Sequence, residues 1–155
     1  MNWRISIQNR QRTAPVHGVR LRRFALSMLR ELFPNDAMDI GIRLVEPAEM
    51  AELNQILLGH EGCTDVITMD YGMGPGLRES DVPARYAELI VCVDEARRQA
   101  RRFGATWHEE LARYLVHGGL HLRGFDDATP AARRRMKREE DRVLRELGPV
   151  FRFAR

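Results

Sequence analysis

Residues 117–127 read His117-Gly118-Gly119-Leu120-His121-Leu122-Arg123-Gly124-Phe125-Asp126-Asp127. Two of the chain's five histidines stand here four residues apart. In a helix that spacing puts both imidazoles on one face, one turn apart. Gly124 offers a stop, because glycine takes the positive φ that ends many helices. A chain that doubles back there brings Asp127 towards the histidine pair. The spacing H-x3-H-x2-G-x2-D is that of the zinc motif of metzincin-type proteases, with aspartate in the third position. Three protein ligands leave a fourth position open for water, as catalytic zinc sites do, and bound zinc lowers the pKa of that water towards about 7. The peptidase motif carries a glutamate base directly after its first histidine, where this chain has Gly118. The spacing therefore points to metal chemistry other than peptide hydrolysis. Two histidines and a carboxylate also occur in iron oxygenases, but no cosubstrate site is legible here. Gly118 and Gly119 leave the helix face bare, either for a substrate beside the metal or for close packing on a neighbouring strand.

The rest of the chain supplies a frame for this helix. Trp3, Ile5 and Ile7 alternate with polar residues, as in a half-buried strand. Leu21, Phe24, Ala25, Met28, Leu29 and Leu32 follow helical spacing from Val19 to Phe33. Met38, Ile40, Ile42 and Leu44 alternate as a second strand, and Pro47 starts a helix running to about Leu58. Cys63 to Met69 is a short third strand, followed by a long irregular Gly/Pro loop. Glu88 to Val93 is a continuous apolar run, hence a central strand. A helix from Asp94 to Phe103 ends at Gly104, and Thr106 to Glu109 is a capping box for the motif helix. Thr129-Pro130 opens a last helix that Gly148 closes. The order β-α-β-α-β-β-α-α-α predicts an α+β fold with one small sheet of about four strands, about five helices and one domain over 1–155.

The 155 residues suffice to bury a core without structural disulfides or metals. The N-terminal stretch has no apolar core of a signal peptide, and no run is long enough to span a bilayer, so a cytoplasmic protein without membrane contact is expected. Cys63 and Cys92 form no CxxC and lie in apolar stretches, which predicts buried free thiols in a reducing compartment. The net charge of +3 is compatible with a nucleic-acid partner without demanding one. Lys137 is the only lysine, and the arginines at 97, 98, 101, 102 and 133–135 could meet phosphate or form a solvated face.

VHGGLHLRGFDD resembles the H-G-x-L-H-L-x-G-[YF]-D-H signature of the YbeY family, bacterial rRNA maturation factors described as metal-dependent, single-strand-specific endoribonucleases. Leu53-Asn54 and Thr64-Asp65-Val66-Ile67 resemble its L-N-x-x-Y-R…P-T-D-V-L-S-F segment. Glu88 to Val93, Glu95-Ala96 and Gln99-Ala100 are similar to its G-D-I-x-I…E-A…Q-A segment, and Met136, Glu140 and Leu144 fit its last helix. The resemblance implies a small mixed sheet with helices packed on it, a metal cleft at a helix end, and one Zn2+ or another divalent ion per chain, held by His117, His121 and Asp127. It implies single-stranded rRNA as substrate, a role in 16S rRNA 3′-end maturation and ribosome quality control, and contact with the ribosome or small-subunit proteins, with no DNA partner. Metal hydroxide and a metal-activated ribose 2′-hydroxyl both remain open as nucleophile. Three positions depart from the signature. Asp127 replaces histidine, Leu58 replaces an arginine implicated in cleavage, and Cys63 replaces a proline. Leucine cannot stabilise charge on phosphorus. A ribosome-associated binding factor with weak or no nuclease activity, or a metallohydrolase of another class, are thus the alternatives.

Around the three candidate ligands stand further candidates. Asp126 is expected to contact a histidine or to replace Asp127. Asp65 is read as making a turn or strand-start hydrogen bond or as orienting a ligand or catalytic water, and Thr64 is a further candidate for supporting the ligands or meeting substrate. Gly118 is the candidate for substrate access. His60 is placed in a loop that could face the cleft, His108 in a solvated capping turn, and Arg78 is a possible substitute for the missing arginine.

Overall fold

A computed structural model describes residues 3–74 and 83–148. Its elements follow the expected order: β1 (Trp3–Asn9), α1 (Gly18–Leu32), β2 (Met38–Val45), α2 (Pro47–Leu58), β3 (Val66–Gly74), β4 (Ala84–Cys92), α3 (Val93–Phe103), α4 (Trp107–Arg123) and α5 (Pro130–Leu147). The sheet order is β1-β2-β4-β3. β1, β2 and β4 are parallel, and β3 runs antiparallel on the edge. This is the mixed α+β sheet that the sequence predicts.

Side-chain alternation divides the sheet into two faces. Met38, Ile40, Ile42, Leu44, Leu89 and Val91 are buried with α1, α3, α4 and α5 in the main core. Val45, Ile67, Ile90 and Cys92 point to the other face, where Met50 of α2 covers them. Each fully buried large aliphatic side chain contributes roughly 1.5–3 kcal/mol relative to exposure. The larger cluster therefore carries most of the stabilisation, and it is the one that seats the motif helix.

The hairpin differs from expectation at both ends. β3 starts at Val66 rather than Cys63 because the Asp65 carboxylate accepts the Val66 N–H at 2.7 Å, turning the chain before pairing begins. β3 and β4 then extend into the stretch read as irregular, pairing as far as Gly74 with Ala84. Gly72 (φ 76°) makes this possible by absorbing a register shift after Asp70, and Arg85 pairs with Asp70 across the strands. Arg78 lies outside the described residues. The prediction of two buried thiols holds for Cys92 alone. Cys63, in the turn ahead of the strand, is exposed.

α4 is the central helix, touching α1, α3, α5, β3 and β4. Thr106 and Glu109 form the expected capping box at its start. Gly118 and Gly119 are both buried and serve close packing rather than open access. A Cβ on Gly118 would stand 2.7 Å from Leu89 Cδ2 and 3.1 Å from Thr68 Oγ1, and one on Gly119 would stand 2.8 Å from Leu32 Cδ1. Leu89 is wholly buried and has nowhere to withdraw. Gly118→Ala should gain about 1 kcal/mol of helix propensity but lose roughly 1–3 kcal/mol to overpacking. The expected outcome is a net loss of stability in urea unfolding, whereas Gly18→Ala, where nothing lies within 4 Å, stays neutral or gains.

Candidate metal centre

The site forms where α4 ends. Gly124, at φ 105°, donates its N–H to the His121 carbonyl, and Phe125 donates to the Leu120 carbonyl at 3.0 Å. This pair of bonds is the Schellman stop, and it folds the chain back over the last turn. Two consequences follow for the histidines. The Phe125 carbonyl lands 3.1 Å from His121 Nδ1, and Asp127 Oδ2 comes to 3.5 Å from His117 Nε2 and 3.8 Å from His121 Nε2. Arg133, in the first turn of α5, donates to the Asp127 carbonyl at 3.4 Å.

The second imidazole is held from α5. Glu140 Oε2 lies 2.7 Å from His117 Nδ1. Glu140 is buried on the inner stripe of α5 with Met136 and Val143, and its other oxygen accepts from Arg113 at 3.1 Å. Arg113 also bonds Asp141 at 2.9 Å. A buried carboxylate is tolerable here because two cationic or N–H donors satisfy it.

These supports decide where the imidazole protons sit. A backbone carbonyl can only accept, so His121 Nδ1 carries its proton; a carboxylate at 2.7 Å assigns the same tautomer to His117. Both Nε2 atoms then present lone pairs to each other at 3.0 Å. Two facing lone pairs repel unless a proton or a cation lies between them. Metal bonds of roughly 2.0–2.2 Å allow two ligand atoms up to about 4.3 Å apart on one ion, which all three separations satisfy. His117, His121 and Asp127 therefore form a group that could hold a metal ion.

Burial pulls the His117 imidazole towards the neutral form. The hydrogen bond and charge of Glu140, then the charges of Asp65 and Asp127, outweigh it and hold the pKa above the ordinary histidine value. Asp65 thus caps the start of β3, as one reading had it, and its charge is among those that raise the His117 pKa; the Thr64 hydroxyl donates to its carboxylate at 3.3 Å. Asp126 does not support a histidine. Its carboxylate accepts the Ala128 N–H at 3.2 Å within the turn, and the supporting roles fall to Glu140 and the Phe125 carbonyl. Glu140 had a readable signal, an acid on the apolar stripe of α5, but the carbonyl had none. His60 is exposed with its backbone bonded to Asn54. His108 is half-buried and stacks on Trp107 at 3.9 Å rather than lying free in solvent. Leu58 ends α2 with its surface 45 % exposed, beside exposed Ile56 and Leu57. Several helix arginines are engaged locally: Arg97 with the Thr13 carbonyl and Arg98 with Glu95.

Fold and site together define a mixed-sheet α+β protein with a group suited to a metal ion at the end of its central helix. A family profile described as Endoribonuclease YbeY matches residues 6–148. The endoribonuclease YbeY of Chlorobium phaeovibrioides is 40 % identical over 113 residues, covering 73 % of this chain and 68 % of that protein. That of Frankia casuarinae is 32 % identical over 145 residues, covering 90 % and 72 %. The solution structure of a Thermotoga maritima protein superposes with a TM-score of 0.57 at 28 % identity, covering 96 % of this chain and 99 % of that one. The chain belongs to the endoribonuclease YbeY family.

In the metal-free protein the raised pKa has a signed consequence. The folded state holds the His117 proton more tightly than the unfolded chain does. The stabilisation is fully present below the unfolded pKa and is lost as pH rises through the higher folded value. Urea midpoints of chelator-treated protein should fall as pH rises above the ordinary histidine value of about 6.5. Glu140→Gln, which removes the main charge raising that pKa, should flatten the fall.

Proposed function

We propose that this chain is a metal-dependent endoribonuclease that cuts single-stranded rRNA, with zinc as its ion and His117, His121 and Asp127 as ligands. The observation that carries the reading is the convergence of the two Nε2 atoms and one carboxylate oxygen on a single point, within 3.0–3.8 Å of one another. The family membership supplies the RNA substrate. When bound, the ion supplies Lewis-acid activation of the attacking oxygen and neutralises charge developing at phosphorus. The chain's own contribution is positional. Glu140 and the Phe125 carbonyl fix both ring orientations, and the charge of Asp65 adds to that of Glu140 in favouring the His117 cation. The finer reading places the domain of residues 1–155 in the cytoplasm, at 16S rRNA 3′-end maturation and ribosome quality control, in contact with small-subunit proteins. Among the described residues no helix is long and apolar enough to cross a membrane.

A second reading is favoured by Leu58. An exposed leucine beside Ile56 and Leu57 offers an apolar surface where the family signature has a cation. That suits a ribosome-associated binding factor with little cleavage. A peptidase reading is disfavoured because position 118 faces Leu89 and Thr68 inside the core and could not carry a base to the ion.

Purified protein should bind about one divalent ion per chain and cleave single-stranded rRNA fragments, with both properties lost in His117→Ala. Asp127→Ala should lose metal while Asp126→Ala keeps it; the reverse pattern would overturn the ligand assignment. Glu140→Gln should weaken metal binding by roughly 10–100-fold in chelator competition. Protein that holds metal and leaves RNA intact would sink the enzymatic reading and favour the binding factor.

A further inference from the structure

Cys63 and Cys92 come from different elements and differ in exposure. Cys63 lies in the turn between α2 and β3 and is exposed, while Cys92 is the last residue of β4 and is wholly buried. Their sulfurs nevertheless lie 3.8 Å apart, although the two residues are 29 positions apart in the chain. A disulfide needs about 2.05 Å, a gap that a modest side-chain and turn adjustment closes. The flanking structure gives that adjustment a place to occur. The Cys63 side lies in a turn outside the sheet ladder, whereas Cys92 is fixed by its N–H bond to the Asp65 carbonyl at 3.0 Å. A metal reading of the pair lacks a third donor. Among the described residues, the one group of three side chains able to share an ion is His117, His121 and Asp127.

We infer that Cys63 and Cys92 form a reversible thiol–disulfide site, in which exposed Cys63 reacts first with a small-molecule disulfide and buried Cys92 resolves the product. The Cys63 thiolate attacks one sulfur of the oxidant, breaking its S–S bond and releasing one thiolate, which takes up the Cys63 proton. The Cys92 thiolate then attacks the Cys63 sulfur of the mixed disulfide and releases the second thiolate, which takes up the Cys92 proton. Two electrons pass from the protein to the oxidant, which leaves as two thiols. Access sets the order of attack, since Cys92 cannot meet an external reagent directly. Burial holds both thiols protonated at neutral pH, Cys92 at about 12, so the exchange is slow there and speeds up in mild alkali. The new bond ties the Thr64–Asp65 turn, whose carboxylate caps the start of β3, to the end of β4.

The test uses the full chain with oxidised glutathione at mildly alkaline pH. The expected product is a monomer lighter by two hydrogens. In it trypsin finds Leu44–Arg78 joined to Tyr86–Arg97, both thiols are silent to an aromatic disulfide reagent, and dithiothreitol restores the starting mass. The oxidised form should also melt at a higher temperature than the reduced one. Cys63→Ser, a change at an exposed position, should leave native Cys92 unreacted, and Cys92→Ser should stop at a glutathione adduct on Cys63. Wild type that stops at that adduct, cross-links between chains or does not react overturns the inference. So does Cys63→Ser protein that reacts at Cys92 while folded.

Discussion

Helix α4 lies closer to the sheet and to α1 than a helix with side chains at positions 118 and 119 could lie. The two glycines let its backbone settle against Leu89 and Thr68 on one side and Leu32 on the other. Everything at the site inherits its depth from that seat. His117 and His121 project from the same helix one turn apart, so lowering the helix lowers them together. At this depth His117 comes within reach of Glu140 on α5, which a helix held further out would present to solvent instead. The helix-propensity cost of two adjacent glycines, about 1 kcal/mol each, is the cost of that proximity.

A second layer of constraint is electrostatic. Glu140 is an acid in an apolar stripe, and it is stable there because Arg113 and His117 satisfy it from opposite sides. Arg113 is itself shared with Asp141. The chain from Asp141 through Arg113 and Glu140 to His117 joins α5 and α4 with charge-assisted bonds. It orients one imidazole while the Schellman turn at Gly124 orients the other. A side-chain network and a backbone carbonyl thus reach the same end by independent routes. Removing one leaves the second ring in place.

Much of this was legible from residue spacing. Alternation located β1 and β2, helical spacing located α1, a continuous apolar run located β4 because both its faces are buried, and Pro, capping and Gly signals marked the other helices. The His117, His121 and Asp127 group was legible because helix geometry and a glycine stop turn spacing into proximity. What failed did so for identifiable reasons. Pairing of Asp70 to Gly74 with Ala87 to Ala84 was hidden because a bulge at Gly72 interrupts the alternation that reveals strands. Asp126 and Asp127 are adjacent and chemically alike, so only the turn shows that one caps Ala128 and the other faces the histidines. Cys63 sits in an apolar-looking stretch, yet the Asp65 cap diverts it from the sheet before burial can begin.

The charges of the site bear on how RNA could meet it. Asp65, Asp127 and Glu140 all act on His117, and the one arginine bonded to Glu140 is also engaged by Asp141. Without a cation this neighbourhood repels a phosphodiester. With a divalent ion between the imidazoles, the same carboxylates strengthen ion binding but cancel part of its charge. A carboxylate at 127, where the family signature has histidine, moves the balance further towards holding the ion and away from attracting phosphate. Leucine at 58 removes a cation that the signature would supply. Both departures act in the same direction. Attraction of RNA to this group would therefore rest on an ion held there and on basic surface beyond the carboxylates, and both departures would weaken phosphate contact before they weakened ion binding.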